Sequence, residues 1–178
     1  MKHFLFFVIT TLILSCSANR GPSVLYSDNY NKDKDETSVM IFPYGQVNIP
    51  GKWIHTNYNT HSGQYFYRGT DSTEVAVALQ PWNQYEFSQD NPEVTQENFV
   101  KKFFEWDSNY LKEVTKGKVS LLAEDREKNY LVWNLTSNGR NDYFLFGLKG
   151  QVAYNLYVSS NKWDAKRKVA FLEQMFMK

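Results

Sequence analysis

Three histidines, a carboxylate cluster and a single cysteine are the residues of this chain whose types and spacing could do chemistry. His3 sits in the short basic start before the apolar N-terminal run, leaving His55 and His61, both in Ile54–Gly63, which reads as a loop between strands. A metal there would need acidic help, yet the neighbouring polar residues are Thr, Asn, Tyr, Ser and Gln. A six-residue spacing on a loop also fixes no coordination geometry, so neither a metal nor a cofactor is expected. A Ser–His–Asp arrangement is defined in space rather than along the chain, but no Gly-x-Ser-x-Gly elbow accompanies these histidines. Glu124, Asp125 and Glu127 gather in a turn and read as a solvated group rather than a tuned acid–base pair. No glycine-rich phosphate loop or dinucleotide fingerprint is present. The expectation is a protein without a catalytic site.

Cys16 invites a different chemistry. Lys2 and His3 make a short basic start, and the apolar run Phe4–Leu14 follows. As a helix that run would rise only ~16 Å, short of the ~30 Å hydrocarbon core, so it fits the h-region of a secretory signal. It ends in Ile13-Leu14-Ser15-Cys16, which resembles a bacterial lipobox. That resemblance implies diacylglycerol on the Cys16 thiol, cleavage before it, and a signal peptide spanning residues 1–15. Acylation by more than one chain is what stable anchoring needs. Residues 16–38, rich in Ser, Asn, Asp and Lys, then read as the lipidated cysteine and a flexible tether. Ser17 occupies the position where aspartate would favour inner-membrane retention, so the expected address is the outer membrane, facing the periplasm.

Charge and aromatic content narrow the classes further. With 20 basic against 19 acidic residues the chain lacks the footprint of a nucleic-acid binder. Five Trp, 12 Tyr and 13 Phe are far more than chemistry needs. Phe99, Phe103 and Trp133 read as core. Trp82, Tyr85 and Phe87 stand in a polar stretch, and Trp53, Tyr58 and Tyr65 surround a turn. Rings in such places suit a ligand or partner contact, for which Trp53, Trp82, Tyr85 and Phe87 are the candidates.

The elements that must position these residues follow from period and punctuation. Tyr44–Ile49 alternates and stops at Pro50-Gly51; Gln64–Arg68 and Glu74–Gln80 flank a hairpin loop. In the last of these Val75, Val77 and Leu79 oppose Ala76, Ala78 and Gln80, which suggests a sheet covered on both faces. Asn91-Pro92-Glu93 has the composition of a helix start. Phe99, Val100, Phe103, Phe104, Tyr110, Leu111 and Val114 make its buried stripe, with Asp107 off that stripe and Gly117 as the stop. Val119–Asp125, Asn129–Thr136, Asn141–Leu148 and Gln151–Ser159 are four strands on short connections, hence antiparallel. A final helix opens at Asn161–Asp164 and buries Ala165, Val169, Leu172 and Phe176, with Lys166, Arg167 and Lys168 outside. The order βββαββββα predicts an α+β fold, an antiparallel sheet of six to seven strands between two helices, filling residues 39–178.

Val47-Asn48-Ile49-Pro50-Gly51-Lys52-Trp53 resembles the strand–Pro–x–x–Trp opening of PsbP-like domains, shared by photosystem PsbP, Mog and DcrB-type lipoproteins. The order of elements over roughly residues 40–178 follows the same family. The resemblance implies a binding or accessory module without a shared catalytic set, so no family site residue is carried over. Three functions compete on these readings. The first is a lipid-anchored envelope protein acting as a non-catalytic binding or accessory module, with the membrane and an envelope protein as partners. The others are an immunity-type lipoprotein neutralising a periplasm-acting toxin, and an envelope hydrolase using His55 or His61.

Overall fold

The computed structural model describes residues 24–178. Cys16 and the expected signal peptide lie outside the described residues. Within them the chain runs β1 (Leu25–Asn31), β2 (Glu36–Phe42), β3 (Gly45–Pro50), β4 (Ile54–Asn59), β5 (Gln64–Arg68), β6 (Glu74–Pro81), α1 (Phe99–Thr115), β7 (Lys118–Asp125), β8 (Tyr130–Ser137), β9 (Arg140–Lys149), β10 (Val152–Ser159) and α2 (Ala165–Met177). A three-stranded sheet β1-β2-β3 stands apart from a seven-stranded sheet ordered β4-β5-β6-β10-β9-β8-β7. Every pairing is antiparallel. The fold is α+β, with the expected pair of helices.

Period two divides the large sheet into two apolar faces. Val75, Val77 and Leu79 of β6 join Leu145 of β9 and Leu156 and Val158 of β10 in one core. The small sheet adds Val39, Ile41, Val47 and Ile49 to it, and α2 adds Leu172, Met175 and Phe176. The other face carries Leu131, Trp133 and Leu135 of β8 and Phe144, Phe146 and Leu148 of β9 beneath Phe99, Val100 and Phe103 of α1. α2 packs on β3, β9 and β10, whereas α1 packs on β7, β8 and β9. The alanines of β6 are therefore not mainly helix-covered: Phe66 and Tyr157 flank Ala76 in register and meet edge-on at 6.1 Å.

Several expectations need correction. Residues 25–38 are not tether as expected, because residues 25–31 and 36–42 pair as a hairpin whose inner face buries Thr37, Val39 and Ile41. Ile54–Asn59 is the edge strand β4 rather than loop; all its residues are exposed, and a bulge between His55 and Asn57 breaks the alternation that marks a strand. The helix begins at Phe99, not near Pro92. Two asparagines hold the intervening turns: Asn91 Oδ1 accepts the Glu93 N–H at 3.1 Å, and Asn98 Oδ1 accepts that of Thr95 at 2.9 Å. Lys116, with φ 54°, supplies the left-handed stop in place of Gly117. Gly117 is needed for space instead, since a Cβ there would lie 2.7 Å from Leu135. Lys168 turns inward, donating to the Asn141 carbonyl at 3.1 Å with its ammonium 4.7 Å from the centre of the Tyr143 ring. Desolvation lowers its pKa.

Candidate functional site

The four candidate contact rings fall on opposite faces of the large sheet. Trp53 is buried on the α2 face, where its ring meets Trp163 at 6.4 Å and Phe171 at 5.7 Å. Its indole N–H donates to the Pro50 carbonyl at 2.7 Å, and its backbone N–H donates to Thr37 Oγ1 at 3.0 Å. These bonds make Trp53 a fastener between the small sheet and α2, with little ring left for a partner. Trp82, Tyr85 and Phe87 gather instead on the α1 face.

That gathering follows from a short 3-10 turn, Trp82–Gln84, which carries the chain from β6 towards α1. The buried Ser88 hydroxyl lies 2.7 Å from the Trp82 carbonyl and 2.8 Å from that of Tyr85, which ties the turn to itself. Trp82 donates its indole N–H to Gln151 Oε1 at 2.7 Å and packs on Phe99. Tyr85 lies 4.4 Å from Phe103, and Phe87 stacks on Trp106 at 5.2 Å. Of the three, Tyr85 is buried while Trp82 and Phe87 are half-buried.

Trp106 belongs to a row that the helical reading missed or misplaced. Trp106, Tyr110 and Val114 recur at a spacing of four, on one flank of α1, and are 39%, 59% and 62% exposed. Tyr110 and Val114 are thus corrected from core to surface. The sheet below α1 already has Phe99, Val100 and Phe103 to bury, and one face cannot take an apolar arc this wide. The signal was legible in that excess width. The result is an aromatic strip that begins at half-buried Phe87 and runs outward along the helix through Trp106 and Tyr110.

Asp107 borders this strip. Expected to point outward, it is half-buried, and desolvation alone pushes its carboxyl up to about 6. No cation forms an ion pair with it among the described residues. The Tyr85 hydroxyl is buried and, among the described residues, makes no hydrogen bond of ordinary geometry. Burial raises its pKa and the nearby charge of Asp107 raises it further. The half-buried Asp107 carboxylate beside exposed rings can accept a hydrogen bond or a cation from an incoming surface, whereas the Tyr85 hydroxyl lies buried behind it.

The remaining chemical candidates lie elsewhere. His55 is on the α2 face, in a tyrosine cluster where Tyr26 stacks on Tyr65 at 4.0 Å and Tyr26 and Tyr67 share a 2.7 Å hydrogen bond. Its Nε2 lies 3.0 Å from the Asn57 carbonyl. His61 is exposed in the β4–β5 turn, its N–H donated to Asn59 Oδ1. Glu124 pairs with Arg126 at 2.9 Å, and Asp125 with Lys128 at 3.2 Å. The Lys128 N–H bonded to Asp125 holds that carboxyl below the usual carboxylate range.

No family model matches the chain, and no curated protein does. Among solved structures it is similar to the solution structure of cyanobacterial PsbP (CyanoP) from Synechocystis sp. PCC 6803. The TM-score is 0.45 with 10% sequence identity, over 91% of this chain and 95% of that one. At this degree of similarity nothing about ligand or partner passes from one protein to the other.

Proposed function

We propose that this protein is a lipid-anchored component of the bacterial cell envelope whose α+β domain serves as a non-catalytic binding or accessory module. Acylation of Cys16 holds it to the membrane, with the outer membrane facing the periplasm as its address. The contact surface is the α1 flank, with Trp106 and Tyr110 at its centre and Phe87 behind them. Trp82 and Tyr85 serve as its support. The observation that carries the binding role is this row of exposed rings and aliphatic carbons on a helix whose sheet-facing side is already filled. Large amphipathic rings are favoured at protein interfaces because they bury much area at low entropic cost. The partner that fits is an envelope protein presenting apolar side chains, with a donor or cation for Asp107.

Two features support anchoring and contact as separate functions. The lipobox-like Ile13-Leu14-Ser15-Cys16 lies far along the sequence from α1, and α1 lies on the sheet face away from β1, the first described strand. The test is a pull-down from detergent-solubilised envelopes with wild type, Cys16→Ser and Trp106→Ala. Cys16→Ser should move the protein to the aqueous phase in Triton partitioning. Trp106→Ala should remain in the detergent phase and lose the co-purifying protein. Unchanged co-purification with Trp106→Ala would refute the contact surface, and an unmodified Cys16 thiol in the wild type would refute the anchor.

A further inference from the structure

A second apolar patch lies on the outer face of the small sheet, at the end of the β1–β2 hairpin where the described chain begins. Leu25 opposes Phe42 in register, and Ser27 opposes Met40. Leu25 is 63% and Phe42 58% exposed, with Met40 at 38% and the preceding Val24 at 44%. The inner face of the hairpin already has its apolar residues, Val39 and Ile41, in the core. Further along the outer face the side chains turn polar and bond to one another: Ser38 donates to Asn48 at 2.8 Å, and Gln46 donates to Asn48 at 2.6 Å. The far turn carries Lys32, Asp33, Lys34 and Asp35. Over about 20 Å of strand the hairpin therefore passes from an uncharged apolar tip to a charged one. Asp28, the first charged residue along β1, lies on the other face and accepts the Tyr26 hydroxyl.

Resting on the lipid-anchor reading of Cys16, we propose that this Leu25–Phe42 tip is a second membrane contact, seated in the lipid surface beside the acyl anchor. Chain length is what selects lipid as the occupant. Nine peptide units separate Cys16 from Leu25, and a chain of that length spans at most about 30 Å. An acylated Cys16 therefore keeps the tip within about 30 Å of the bilayer surface, close enough for repeated encounter with the zone where headgroups and acyl chains meet. Confinement raises the local concentration of the bilayer around a surface that a free protein would present only weakly. Partly exposed Leu, Phe and Met side chains without a charge among them suit that zone. Stable membrane binding in general takes two signals, and a shallow apolar contact adds orientation to the hold of the acyl chains. Seated this way, the small sheet faces the bilayer and α1, on the opposite face of the large sheet, points away from it towards a partner.

The test uses the full-length acylated protein in vesicles of phosphatidylethanolamine and phosphatidylglycerol, with a polarity-sensitive dye on Leu25→Cys, Met40→Cys or Lys34→Cys. Acylation blocks the native thiol, so the dye reports a single position, and mass spectrometry first establishes the state of Cys16. Dyes at 25 and 40 should shift to the blue and be quenched several-fold by doxyl-labelled lipid, while the dye at 34 stays as in water. Acylated protein whose dyes at 25 and 40 match the one at 34 overturns the membrane contact and leaves the anchor standing. A dye shielded at 25 but insensitive to doxyl lipid, with crosslinks between copies, overturns it in favour of self-association. An unmodified Cys16 overturns the anchor and this proposal together.

Discussion

The two faces of the seven-stranded sheet bury comparable rings and differ in what they leave exposed. On the α2 face, small sheet and helix together close over the strands, and long side chains are pinned in place. Lys149 donates to the Phe176 carbonyl with its ammonium over the Phe176 ring, and the ring in turn sits against Gly147. On the α1 face a single helix covers β7–β9, and its flank carries a surplus of apolar residues beside a half-buried carboxylate that forms no ion pair among the described residues. One face is built for cohesion. The other is cohesive at its centre and unsatisfied along its margin, the margin to which the proposed binding role is assigned.

The largest expected effect tests the shared part of this contrast. Phe103 stacks on Phe146 at 3.9 Å beneath α1, and Phe103→Ala should cost about 3–5 kcal/mol in denaturant unfolding. A much smaller loss would mean that α1 is only loosely seated. Next comes Gly147→Ala on the closed face. Its Cβ would lie 2.4 Å from Phe176, so a loss of about 1–3 kcal/mol is expected from overpacking, and a neutral outcome would show slack there.

Asp107→Asn sharpens the comparison in the opposite direction. The folded carboxyl titrates at about 6, above the ~3.9 of an unfolded aspartate, so ionising it opposes folding. Its penalty is absent below about pH 4, grows as pH rises and is complete above about 6. Asp107→Asn should therefore raise stability at pH 7–8 by about 1–2 kcal/mol, allowing for partial solvent screening. It should also flatten the pH dependence of the melting temperature between 4 and 6. Equal melting temperatures for wild type and variant at pH 8 would remove the uncompensated charge from the site. The smallest stability effect is expected on the helix flank. Tyr110→Ala should change unfolding by no more than about 0.5 kcal/mol while weakening partner retention, whereas a core role would show as a clear loss of stability.

Much of the sheet was legible because its strands carry strong signals. Val75–Leu79 alternates cleanly, and β8 to β10 are apolar runs separated by turn pairs such as Asn138-Gly139. What escaped was weakly marked for physical reasons. β1, Leu25–Asn31, is an edge strand facing solvent on one side, so Ser, Asp and Asn suffice and it resembles a linker. β4 hides behind a bulge and total exposure. The aromatic candidates divided because short-range sequence does not reveal which side of a sheet a loop returns to: Trp53 and Trp82 flank the same sheet from opposite faces. Asp107 escaped because charge predicts exposure on average, and its half-buried place on α1 departs from that tendency.

Site-specific photocrosslinking in intact cells tests the division of faces most directly. A photoreactive phenylalanine analogue at Tyr110 should yield a discrete adduct with an envelope protein. The same analogue at Arg167 on α2 should yield none, and Trp106→Ala should abolish the Tyr110 adduct. Equal adducts from both helices, or none from Tyr110, would contradict the assignment of partner contact to the α1 flank.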